Sequence, residues 1–82
     1  MNIKVLGPGC ARCKQLMSNT QAAVMQGNIE ADVEKVEDIV AIMGYGVMAT
    51  PALVVDGKLL FSGKVPSTTE LQQMLEQAAK GK

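Results

Sequence analysis

The sequence predicts an α/β domain with a mixed sheet, in the element order β-α-β-α-β-β-α. Three observations carry this. Short apolar stretches, alternating or unbroken, are interleaved with segments of three- and four-residue period. An Asp-Gly pair joins two of the apolar stretches as a hairpin. Gly, Pro, Asn and Asp punctuate the junctions between elements. In a chain of 82 residues these elements form one domain, 1–82, because chains of this size do not divide into two separately cored units.

Ile3 and Val5 alternate with Lys4, and Leu6 extends them into a first strand, which Gly7-Pro8-Gly9 ends. From Cys10 to Gln26 the pattern is helical: Cys13, Leu16 or Met17, Thr20 and Val24 recur at spacings of three and four, with Lys14, Gln15, Ser18, Asn19 and Gln21 on another face. Gly27-Asn28 ends that helix, since both residues tolerate a left-handed cap. Ile29, Ala31 and Val33 alternate with Glu30, Asp32 and Glu34, predicting a second strand with one wet face. Asp38 caps a short second helix that Gly44 ends. A loop from Tyr45 to Thr50 leads through Pro51 into Ala52-Leu53-Val54-Val55, an unbroken apolar run that reads as a buried strand. Asp56-Gly57 turns the chain back into Lys58-Leu59-Leu60-Phe61. Ser67 and Glu70 form a capping box for a last helix with Leu71, Met74, Leu75 and Ala78 on one stripe. The first two strands, separated by a helix, are expected to be parallel with a right-handed crossover. The hairpin makes the sheet mixed, and helices cover both faces.

Composition excludes several functions. Eight basic residues balance eight acidic ones, and only one Tyr and one Phe are present. Neither an anionic membrane nor a nucleic acid is therefore an expected partner. The chain has no His, which removes histidine-based nucleophilic catalysis and histidine metal sites together. No apolar run is long enough to span a bilayer, and the first residues lack a signal-peptide pattern. The expected localisation is cytoplasmic, where a Cys pair serves catalysis or metal binding rather than a structural disulfide framework.

That pair is Cys10 and Cys13, spaced C-x-x-C. Two thiols are too few for a four-ligand zinc cage, and no metal is expected. Cys10 follows a glycine-bounded break and opens a helix, whose free N–H groups favour an anion such as a thiolate. Cys13 lies one turn on, within reach of a disulfide, with apolar neighbours Leu16 and Met17 that make it the more buried thiol. This pattern assigns Cys10 as the attacking nucleophile and Cys13 as the resolving thiol, the Cys10-Cys13 disulfide serving in place of any cofactor. Arg12 adds a positive charge between them. Pro51, considered alone, simply starts a strand.

Taken together, these residues resemble the thioredoxin superfamily, and more narrowly the small thioredoxin/glutaredoxin-like redox-active disulfide proteins of archaea and bacteria. The matching residues are Gly9-Cys10-Ala11-Arg12-Cys13-Lys14, Tyr45-Gly46-Val47 through Thr50-Pro51-Ala52-Leu53-Val54-Val55, the hairpin Asp56-Gly57-Lys58, and Gly63. The resemblance implies a thioredoxin-like fold with four strands and three helices, a cis-proline at Pro51 beside the disulfide, and dithiol–disulfide exchange. It also implies a substrate groove with Thr50, Arg12, Tyr45 and Gly63 on its walls, protein disulfides as substrates, a flavoprotein reductase of the thioredoxin-reductase type as donor, and a monomer. The sequence departs from thioredoxins in having no Trp and no acid in its first strand, where Lys4 is the one ionisable residue. It departs from glutaredoxins in following Gly63 with Lys64-Val65-Pro66, which argues against a glutathione site.

Two other readings use the same thiols: a Cu(I) carrier, and a redox sensor that does not turn over. The final helix and Thr50-Pro51 favour exchange over the carrier. Met17, Met43 and Met74 read as core filling in an aromatic-poor chain, and Met48 is the one placed to touch substrate. Glu30, Asp32, Glu34, Glu37 and Asp38 read as a solvated face. For Tyr45, a half-buried packing role competes with the groove.

Overall fold

The four strands form one sheet in the order β2-β1-β3-β4, and the computed structural model describes residues 1–9, 11–47 and 49–80, with Lys80 represented by its backbone. The elements are β1 (Asn2–Leu6), α1 (Ala11–Gln26), β2 (Asp32–Val36), α2 (Ile39–Gly44), β3 (Ala52–Val55), β4 (Lys58–Ser62) and α3 (Thr68–Lys80). β1 pairs parallel with β2 and antiparallel with β3, and β3 pairs antiparallel with β4. The predicted order and the mixed sheet are both present.

Period-two alternation sorts the strand side chains onto two faces. Ile3, Val5, Leu53, Val55 and Phe61 join Leu16 and Ala23 of α1 and Leu71 and Leu75 of α3 in the larger core. Leu6, Ala52 and Val54 join Ile42 of α2 in a smaller one. β3 is buried on both faces, as its unbroken apolar run predicts for a central strand. α1 turns Cys13, Leu16, Thr20 and Ala23 inward at spacings of three and four. Thr20 keeps its buried hydroxyl satisfied by donating to the Leu16 carbonyl at 2.7 Å.

Local signals set the junctions. Asn28 takes the left-handed cap after α1 (φ 52°), and the Ile29 N–H closes on the Val24 carbonyl at 3.0 Å. The Asp38 carboxylate accepts from the Val40 N–H at 3.2 Å and starts α2. Asp56 and Gly57 both have positive φ, as a type I′ hairpin requires. Ser67 Oγ accepts from the Glu70 N–H at 3.2 Å.

Three expectations need correction. The second strand begins at Asp32 rather than Ile29, because a strand extends only as far as its partner. Asn2 of β1 pairs with Asp32, and residues before Asp32 find no ladder, although Ile29 and Ala31 still pack on the core. The return strand runs to Ser62, with an irregularity opposite Leu53/Val54 that leaves Leu59 and Leu60 partly exposed. Met43 is 68% exposed, not core, because a six-residue helix touches the sheet with little more than one turn and buries only Ile42. Met17 and Met74 do pack against the core. Met48 lies outside the described residues.

Candidate active site

β1 ends at Leu6, and the chain stays tied to the sheet for one residue more through the Gly7 N–H and the Val36 carbonyl (2.9 Å). Pro8 and Gly9 then turn it toward α1. Cys10 lies outside the described residues; in sequence it immediately precedes Ala11, where α1 starts. α1 carries no acidic residue in its first turn, so nothing there opposes the partial positive charge of its free N–H groups.

Cys13 faces inward and is 2% exposed, as its apolar neighbours Leu16 and Met17 predict. It rests on Gly7. A Cβ at Gly7 would overlap Cys13 Sγ and fall 2.9 Å from Cys13 Cβ. The glycine is thus a contact surface for the thiol as well as a strand breaker.

The proline arrives from the neighbouring strand. Leu6 pairs with Ala52, so antiparallel register brings Pro51 level with Gly7, on which Cys13 sits. The Thr50–Pro51 bond is cis. Pro51 is under 2% exposed, whereas Thr50 before it is half-buried. The Pro51 carbonyl accepts from the Gly63 N–H at 2.8 Å. The Gly63 carbonyl in turn accepts from Arg12 Nη2 at 3.1 Å. Hydrogen bonds therefore link Pro51 to Gly63 and Gly63 to Arg12 at the start of α1, while Cys13 packs on Gly7.

Arg12 is exposed, and its guanidinium is held toward Gly63 at the end of β4. Tyr45 packs on the smaller core with Leu6, Ile42, Ala52 and Val54, so of the two roles open to it the structure shows the packing one. Lys4 Nζ donates to Tyr45 Oη at 3.1 Å and lies 5.9 Å from the ring centroid. That hydrogen bond, with the charge interactions of Tyr45 and Glu34, raises the Lys4 pKa above its ordinary 10.5 against an opposing effect of burial. Lys4, on the strand where thioredoxins keep an acid, is thus a structural cation bound to a phenol.

Three features carry no signal in the sequence: the Gly7–Cys13 contact, the Arg12–Gly63 tether, and Glu37, whose carboxylate lies against Gly9. A Cβ at Gly9 would be 3.0 Å from Glu37 Oε2. Each joins residues from separate elements, and no local pattern marks them.

The β2-β1-β3-β4 sheet, the C-x-x-C at the junction of β1 and α1, and a cis proline leading into β3 define the thioredoxin-like class. Comparison with known proteins places the chain more closely. Residues 1–76 match the family model described as a thioredoxin domain. The chain is 39% identical over 75 residues to a thioredoxin of Methanothermobacter thermautotrophicus, covering 92% of this chain and 97% of that one. It is 35% identical over 80 residues to a thioredoxin of Methanocaldococcus jannaschii, covering 98% and 92% respectively. The chain belongs to the thioredoxin family and, at the level of that family, is a thiol–disulfide oxidoreductase. Among the described residues no helix is long and apolar enough to cross a membrane.

Proposed function

We propose that the chain reduces protein disulfides with the Cys10/Cys13 dithiol, Cys10 attacking and Cys13 resolving. The Cys10 thiolate attacks one substrate sulfur, forms a mixed disulfide and releases the other substrate sulfur as a thiolate, which takes up a proton. Cys13 then loses its proton and attacks Cys10 Sγ. The second substrate thiol leaves with that proton, and the Cys10–Cys13 disulfide remains. Two electrons have moved to the substrate, and a flavoprotein reductase of the thioredoxin-reductase type restores the dithiol.

The observation that carries this reading is the position of Cys13, buried against Gly7 in the register that brings Pro51 alongside. A thiol shielded in this way is suited to attack its neighbour rather than an incoming protein. Thr50 borders the same place, and its backbone can pair with an extended substrate as an added strand would. The final helix α3 and the Thr50–Pro51 turn favour exchange over metal carriage by the same thiols.

The test is trapping. With a peptide disulfide substrate, Cys13→Ser should accumulate a mixed disulfide on Cys10, located by mass spectrometry of proteolytic fragments. The unmodified protein with dithiothreitol should reduce insulin catalytically. An adduct on Cys13 in the Cys10→Ser protein, with none on Cys10 in the Cys13→Ser protein, would reverse the assignment. Absence of insulin turnover would remove the reductase reading.

A further inference from the structure

The loop that delivers the C-x-x-C motif lies against a carboxylate from another segment, that of Glu37. Glu37 follows β2 by one residue. Because β1 and β2 are parallel, their C-terminal ends lie side by side, and the Gly7 N–H to Val36 carbonyl bond closes the gap between them. The Glu37 carboxylate consequently reaches Gly9, the residue covalently before Cys10. Gly9 has φ +95°, and a side chain there would meet Glu37 Oε2 at 3.0 Å. The nearby charges are otherwise engaged. Asp38 caps α2 through the Val40 N–H. Arg12 is tied to the Gly63 carbonyl. Lys35 Nζ lies 3.9 Å from Glu37 Oε1 in an exposed pair that neutralises the carboxylate only in part.

We propose that Glu37 sets the redox poise of the dithiol, making the protein a stronger reductant than its C-x-x-C motif alone would. This rests on the exchange function proposed above. A negative charge beside the loop disfavours a thiolate there. The thiolate exists only in the reduced form, so the disulfide gains relative stability and electrons leave more readily. Glu37 is a positioning residue whose charge acts through space and takes no part in making or breaking bonds.

The experiment measures the dithiol–disulfide equilibrium of the whole chain against glutathione, at about pH 8, where a helix-start thiol is ionised. In this equilibrium two protein thiols are oxidised to one disulfide while one glutathione disulfide is reduced to two thiols. Glu37→Gln should shift the constant toward the reduced protein by about threefold, the effect of one unit charge a loop's width away at a wet surface. For a two-electron couple that is ~14 mV. Glu37→Asp should restore most of the shift. Lys35→Gln should move the constant the opposite way. Asp32→Asn, the same charge change at the far end of β2, roughly 16 Å away and beyond the ~8 Å screening length, should leave it unchanged. A constant insensitive to Glu37→Gln, or equally sensitive to Asp32→Asn, overturns the proposal while exchange stands. A wild-type protein that forms no Cys10–Cys13 disulfide against glutathione overturns the exchange function itself, and this inference with it.

Discussion

Replacing Gly7 by Ala adds one methyl group where there is no room for it. The new Cβ would overlap Cys13 Sγ and lie 2.9 Å from Cys13 Cβ. Rotating the Cys13 side chain moves its sulfur but not its Cβ, so the conflict has to be relieved by shifting backbone. Neither backbone is free to move: Gly7 is bonded to Val36 at 2.9 Å, and Cys13 belongs to a helix packed through Leu16 and Ala23. Gly7 has no positive φ, so the penalty is steric rather than conformational. Overpacking of this kind costs about 1–3 kcal/mol, and this site should fall in the upper half of that range. With an m-value of ~1 kcal/mol/M for so small a domain, the urea midpoint should fall by roughly 2 M. The assay is urea unfolding of the reduced protein by far-UV circular dichroism, since the chain has no Trp. Repeating the substitution in a Cys13→Ala background removes the sulfur and leaves the Cβ conflict. A coupling of about 0.5–1 kcal/mol between the two changes should appear. A loss below ~0.5 kcal/mol for Gly7→Ala alone would refute the claim that Cys13 is packed on Gly7.

Two further outcomes follow from the site. Arg12→Ala removes one exposed hydrogen bond to Gly63; it should cost under ~1 kcal/mol of stability and slow insulin reduction severalfold without abolishing it, whereas complete loss with an intact fold would make Arg12 a direct substrate ligand. Tyr45→Phe removes the acceptor that raises the Lys4 pKa. A group whose folded pKa is raised contributes stability that is present below its unfolded pKa and lost as pH rises through the folded one. The stability difference between wild type and Tyr45→Phe should therefore be constant near neutrality and shrink above pH 10.5, and a difference that grows with pH would show that Lys4 is not held by the phenol.

Much of this protein is legible one segment at a time. Period, caps and turn residues are local, and from them follow the order of elements, the Asp56-Gly57 hairpin, the doubly buried β3, the Ser67 cap and the spacing that turns Cys13 inward. The motif at Cys10 and Cys13, with Thr50-Pro51 downstream, is likewise short enough to be read directly. The errors fall where one element's extent depends on another. β2 starts at Asp32 because β1 starts at Asn2, and Met43 stays in solvent because α2 is too short to lay a second side chain on the sheet. What lies around Cys13 and the start of α1 depends instead on how the elements pack. Strand register brought Pro51 level with Gly7, the parallel crossover set Glu37 beside Gly9, and the end of β4 offered its Gly63 carbonyl to Arg12. These are contacts between residues tens of positions apart, and a linear pattern carries no record of them because they depend on where whole strands and helices are packed rather than on the chemistry of neighbours.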